Sequence, residues 1–170
     1  GEKLGASQSY EVALGDLNGD GHLDAMVANF DQANIVWLND GDGTFTKSEE
    51  LGDSGSYDVA LGDLDGDGHL DAMVANSMGG ISDEPNVIWL NDGDGTFTEG
   101  EMLGDSNSFY VVLGDLDGDD DLDAMVANAL QPNVVWLNDG NGIDCDGDDV
   151  LDSCQILADP WLDEDPDDDG

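Results

Sequence analysis

The sequence predicts an all-β chain: three four-stranded sheets in tandem, incomplete at both ends, followed by a short acidic segment. Three observations carry that expectation. The chain repeats itself, its apolar runs are too short and too β-branched for helices, and Asp-Gly turn signals separate them.

Tyr10-Glu11-Val12-Ala13-Leu14-Gly15-Asp16 returns as Tyr57-Asp58-Val59-Ala60-Leu61-Gly62-Asp63 and again as Phe109-Tyr110-Val111-Val112-Leu113-Gly114-Asp115, at spacings of 47 and 52 residues. The extra five fall where 30–33 lengthens to 77–85, which marks that connection as a surface loop. The units are 10–56, 57–108 and 109–142, with 1–9 as a spare fourth strand and 143–170 as a tail.

Within each unit the first strand is 10–14 or its equivalent. The second is 25–29, matched by 72–76 and 124–128, and the third is 34–38, matched by 86–90 and 133–137. Asn39-Asp40-Gly41-Asp42-Gly43 then supplies the positive φ angles of a hairpin before a fourth strand at 44–51. Strands two and three are apolar on successive residues, so both faces of each sheet must be covered. Sheets stacked like blades meet that requirement. Trp37, Trp89 and Trp136 recur in register on strand three and read as core; Trp161 lies beyond the repeats.

The connection between strands one and two carries the chemistry. Asp16, Asn18, Asp20 and Asp24 occupy positions 1, 3, 5 and 9 of a nine-residue loop. Asp63, Asp65, Asp67 and Asp71 repeat the pattern, as do Asp115, Asp117, Asp119 and Asp123. Carboxylates on alternate residues of a tight loop converge on one point, and a hard cation such as Ca²⁺ takes six to eight oxygens. The backbone carbonyl of position 7 (His22, His69 or Asp121) adds a further donor. Gly21 and Gly68 permit the sharp turn after position 5, where the third loop has Asp120; its site is expected to be the weakest. Leu23, Leu70 and Leu122 are expected to pin each loop to a sheet.

Composition agrees. The 170 residues hold 42 Asp plus Glu against two Lys plus Arg, a formal net charge of −40. Such a chain cannot neutralise phosphates, and it offers neither a basic patch for an anionic membrane nor a run of 18 apolar residues. Nucleic-acid binding and membrane insertion are excluded on that reading. Four Ca²⁺ would reduce −40 to −32, which suits a salty or calcium-rich medium. No Asn-X-Ser/Thr acceptor for N-glycosylation is present. No nucleophile partners His22 or His69, and no acid pair stands out among so many carboxylates, so an enzyme is not expected.

A fourth loop, Asp144, Asp146, Asp148 and Asp152 with the carbonyl of Val150, repeats the oxygen spacing in the tail. Cys145 and Cys154 bracket it and read as one disulfide formed in an oxidising compartment.

The run from Leu14 to Asn29, followed by Val36-Trp37-Leu38-Asn39-Asp40-Gly41-Asp42-Gly43-Thr44-Phe45, resembles the FG-GAP/VCBS repeat, which includes the calcium-binding blades of the integrin α-subunit propeller. The resemblance covers 2–142 and implies extracellular β-propeller blades with Ca²⁺ in the loops between strands one and two, in adhesion or structural roles. The 144–156 segment is similar to dockerin and thrombospondin type 3 calcium repeats, departing from them at Asp149 and Gln155.

Three blades are fewer than the four to eight that close a ring. Lys3-Leu4-Gly5-Ala6-Ser7 matches Glu50-Leu51-Gly52-Asp53-Ser54, so one end carries a spare strand, while the third unit lacks its Thr-Phe-Thr strand. The absence of an initial Met and of an apolar leader reads as a mature or excised stretch. Two expectations follow. Copies join head to tail into a filament by strand complementation, or the chain is part of a larger propeller acting as a lectin-like or receptor-binding module. In the second case a glycan or cell-surface protein is the partner, and 77–85 is the best candidate surface.

Overall fold

The computed structural model describes residues 3–53, 55–77 and 84–138. Eleven strands and no helix occur among them: β1 (Gln8–Gly15), β2 (Asp24–Phe30), β3 (Asn34–Asn39), β4 (Phe45–Leu51), β5 (Ser56–Gly62), β6 (Asp71–Asn76), β7 (Asn86–Asn91), β8 (Phe97–Leu103), β9 (Ser108–Gly114), β10 (Asp123–Asn128) and β11 (Val134–Trp136). They form antiparallel sheets of four, four and three strands, each in simple sequential order. The fold class is as the repeat predicts, and the strands match to within one or two residues.

Blade stacking follows from burial. In the middle sheet β6 is buried at every position and β7 at all but one, so both faces are covered. The two hydrophobic cores are the two joints between sheets. Leu17, Met26 and Val36 of the first blade pack on Val59, Val74 and Trp89 of the second. Met73, Ile88 and Leu103 of the second pack on Val111, Val126 and Trp136 of the third. The expected core tryptophans are there, Trp37 less deeply than the other two.

Leu70 and Leu122 pin the loops to a sheet as expected, and that sheet belongs to the preceding blade. A methyl group on Gly15 would lie 2.6 Å from Leu70 Cδ1, and one on Gly62 the same distance from Leu122 Cδ1. The Leu-Gly-Asp motif thus needs glycine because the next blade's leucine rests on it. Leu23, on the first blade, is exposed.

Each first strand opens with a bulge. Ser9 and Glu11 pair with the consecutive residues Asn29 and Ala28, which leaves Tyr10 over. Tyr57 and Phe109 are left over in the same way. A bulged residue is re-aimed out of the pleat, and these aromatics stack on one another. Ring centroids are 4.7 Å apart for Tyr10–Tyr57 and 4.5 Å for Tyr57–Phe109.

The connection between strands two and three is closed by asparagine. The Asn29 N–H donates to Asn34 Oδ1 and Asn29 Nδ2 to the Ala33 carbonyl. Asn76 does the same with Asn86 and Pro85, and Asn128 with Asn133 and Pro132. The 78–83 stretch lies outside the described residues.

At the N-terminus, 3–7 forms no strand. It nonetheless occupies the place of a preceding fourth strand's end. A methyl group on Gly5 would lie 3.6 Å from Trp37 Cζ2, against 3.4 Å from Gly52 to Trp89 and 3.3 Å from Gly104 to Trp136.

Candidate metal centres

In each loop the position 1 carboxylate curls the chain around itself by accepting backbone N–H groups. Asp16 accepts from Asp20 and Gly21 at 3.1 and 2.8 Å, Asp63 from Gly66 and Gly68 at 2.9 and 3.0 Å, and Asp115 from Gly118 at 2.6 Å. Position 5 fixes the next turn: Asp20, Asp67 and Asp119 accept from the N–H of His22, His69 and Asp121 at 2.8, 2.8 and 3.0 Å. That bond holds the Asp20 carboxyl below its ordinary pKa. Between positions 5 and 7 the chain turns left-handed, with φ of 85° at Gly21, 91° at Gly68 and 79° at Asp120. The third loop therefore places a side chain where the other two have none, as its sequence predicts.

Position 9 does more than its spacing suggests. Asp24, Asp71 and Asp123 are fully buried. Their Oδ2 atoms accept the N–H of Leu17, Leu64 and Leu116 at 2.8, 2.8 and 2.6 Å. Their Oδ1 atoms accept the N–H of Asn39, Asn91 and Asn138, at the C-terminal side of strand three, at 2.7, 2.8 and 2.9 Å. Each carboxylate staples its loop to the sheet. The asparagines complete the staple: Asn91 Nδ2 donates to the carbonyl of Leu70 in its own loop and to that of Leu17 in the preceding blade, at 3.0 and 2.9 Å. Asn138 does the same with Leu122 and Leu64. Sequence reasoning took Asn39-Asp40-Gly41 as a turn only. The signal was the asparagine recurring in register before each Asp-Gly pair.

These constraints gather the carboxylates. Oxygens of Asp63, Asp65 and Asp71 all lie within 4.8 Å of one another, and so do those of Asp115, Asp117 and Asp123. Either triad could hold a metal ion. In the first loop Asn18 offers an amide oxygen where the others have a third carboxylate. Asp67 and Asp119 stand outside the triads. Burial raises the pKa of Asp71, against the pull of its two N–H donors, and the charges of Asp65 and Asp67 raise it further. Asp117 is raised in the same sense by desolvation and then by Asp119 and Asp123. Like charges are thus crowded, and Lys47, one of two lysines in the chain, pairs with Glu50 elsewhere. An all-oxygen, multiply anionic donor set suits a hard divalent cation.

The imidazoles have a role their loop position did not announce. A methyl group on Gly41 would lie 2.5 Å from His22 Nε2, and one on Gly93 2.5 Å from His69 Cε1. Each ring wedges its loop against the hairpin between strands three and four. Asp144, Asp146, Asp148, Val150, Asp152, Cys145 and Cys154 lie outside the described residues, as does Trp161.

Residues 16–74 match the family model of the FG-GAP-like repeat. Over that stretch the chain is similar to the FG-GAP-like repeat. The match begins at position 1 of loop one and runs through loop two into β6, so it spans two of the acidic loops, one of them carrying a carboxylate triad, and the joint between them. No curated protein matches the chain. FG-GAP-like repeats are typically non-catalytic structural or binding modules, propeller-like and extracellular. Among the described residues no helix is long and apolar enough to cross a membrane.

Proposed function

We propose that this is a calcium-stabilised extracellular structural or adhesion protein whose blade loops each take one Ca²⁺, with a fourth ion in the tail loop and Cys145 and Cys154 joined beside it. The ligands would be Asp16, Asn18, Asp20 and Asp24, then Asp63, Asp65, Asp67 and Asp71, then Asp115, Asp117, Asp119 and Asp123, with the carbonyls of His22, His69 and Asp121. Copies join head to tail, the segment ahead of β1 in one completing the third blade of the next. The 77–85 connection is the surface on which a glycan or cell-surface protein would be met.

The observation that carries the calcium reading is the convergence of three carboxylates in loops two and three. A fully buried member of each triad is already held by two backbone N–H groups. Backbone donors set the positions of these oxygens without neutralising them, which leaves a cation to do so. Thermal melts followed by circular dichroism, with calcium and with excess chelator, test this. Removing the ion is expected to lower the midpoint by more than about 10 °C, because metal-binding free energy adds to folding free energy. Superimposable melts overturn the reading.

A further inference from the structure

The two ends of the described molecule are the separated halves of a joint that it already contains twice. At both internal joints the back of one blade, carrying a leucine, a methionine and the glycine of Leu-Gly-Asp, receives the front of the next. That front carries the first-strand valine and the loop leucine. The back-face methionine is 0% exposed at Met26 and Met73 but 44% at Met125. The front-face valine is 5% exposed at Val59 and 4% at Val111 but 48% at Val12. Tyr110, Val112 and Leu116 are uncovered beside Met125; Tyr10, Leu14 and Leu23 are uncovered beside Val12. A hollow of ≈ 150 Å³ opens on the back of the third blade between Tyr110, Val112 and Met125.

The polar parts of the joint are split in the same way. Asn39 Nδ2 donates to the Leu23 carbonyl of its own loop at 3.1 Å, while Asn91 and Asn138 each also reach the preceding blade's leucine carbonyl. Leu116 is the equivalent of those leucines, and no blade follows it among the described residues. A methyl group on Gly114 would meet nothing within 4 Å, whereas Gly15 and Gly62 are occupied by the next blade's leucine.

We infer that the occupant of the third blade's back face is the first-blade front face of a second copy of this chain. The inference rests on the head-to-tail reading above and specifies its contact as stacking of whole blade faces, with strand addition as its accompaniment. Continuity with the internal joints sets the details. Leu23 of the second copy seats on Gly114, its Asn39 donates to the Leu116 carbonyl, and its Tyr10 stacks on Phe109 to extend the aromatic column. Leu51 pairs with Asn34 and Leu103 with Asn86, so the same register brings Leu4 of the second copy opposite Asn133. The contact is heterologous, and each added copy presents a fresh end. Both partners are strongly acidic, so association strengthens with salt.

Sedimentation velocity on the full calcium-loaded chain tests this with two variants at exposed positions, Met125→Asp and Val12→Asp, each checked for a wild-type melt at low concentration. Wild type is expected to grow with concentration. Each variant alone stays monomeric, its association weakened roughly 100-fold or more by a carboxylate buried without a partner. A mixture of the two gives a dimer that grows no further, because one intact back meets one intact front. If both variants polymerise like wild type, the faces assigned here are wrong although copies still associate. The same holds if the mixture does not pair. Wild type that stays monomeric at every concentration and salt overturns both this inference and the head-to-tail reading, and points to another part of the chain, such as 139–170, covering the faces.

Discussion

Asp-Ala-Met-Val-Ala-Asn occurs three times without change, as β6 and within β2 and β10, and its burial differs each time. In the middle blade all six residues are buried; in the third blade the methionine is exposed and the last two are half-buried. One hexapeptide therefore contributes different energies in different places, because coverage comes from the neighbouring blade. Among the described residues the middle blade has a neighbour on each face, and each outer blade has one. Repeat proteins behave this way: stability is a sum of units and of the interfaces between them.

The largest test of that contrast is to truncate the same residue in both settings. Met73→Ala is expected to cost about 2–5 kcal/mol, as emptying a closed core does, and Met125→Ala less than about 1 kcal/mol. Urea denaturation in calcium at low protein concentration measures both. If copies stack as inferred, the gap narrows as concentration rises. Equal costs in dilute solution would mean that the back of the third blade is covered within the monomer.

A smaller difference separates loops two and three, whose triads match but whose turns do not. Asp120 sits at φ 79° where Gly68 sits at 91°. Asp120→Gly is expected to stabilise the calcium-loaded protein by about 0.5–1 kcal/mol, since an L side chain in the left-handed region is strained and glycine there is not. On the calcium reading proposed above, titration by calorimetry should show the third site tightening toward the others. Gly68→Asp should do the reverse. No change in either variant would mean that the turn residue does not set the difference.

These loops also show what could be read in advance and what could not. The left-handed turn at Gly21, Gly68 and Asp120 is a local property of a few residues, and the strands follow from short apolar runs, so both were legible. The alternation of oxygens gave the candidate ligands. It could not show that Asp71 also binds the N–H of Asn91, 20 residues on, or that Asn91 reaches Leu17 across 74 residues. That Leu70 anchors its loop to a sheet was legible; which sheet was not. A leucine flanking a loop says that it is buried, and only the stacking says against which blade.

The smallest effect should show no contrast at all. The hairpin turns Asp42–Thr44 and Asp94–Thr96 carry the same two bonds at exposed residues, the threonine hydroxyl donating to the carboxylate at 2.6 Å and its N–H at 3.0 Å, and Thr44 alone also has Asp40 within reach of its hydroxyl. Those bonds hold both carboxyls below their ordinary pKa, the hydroxyl first and the N–H second. A depressed carboxyl lends stability above its unfolded pKa, and that contribution is lost as pH falls through the folded value. Thr44→Val and Thr96→Val should each raise the neighbouring aspartate's pKa, and by the same amount, in an NMR titration of the carboxyl carbons. Unequal shifts would show that position in the stack reaches even the exposed turns.

The asparagine clamps between strands two and three have a consequence for engineering. Asn29 and Asn34 close a short connection, while Asn76 and Asn86 close a longer one with the same bonds. The mouth of the hairpin is thereby set independently of its cargo. Doubling a loop's length costs only about 0.6 kcal/mol in closure entropy. That mouth is a ready port for grafting foreign peptides, such as an epitope, a protease site or a fluorophore tag, without disturbing the blades on either side.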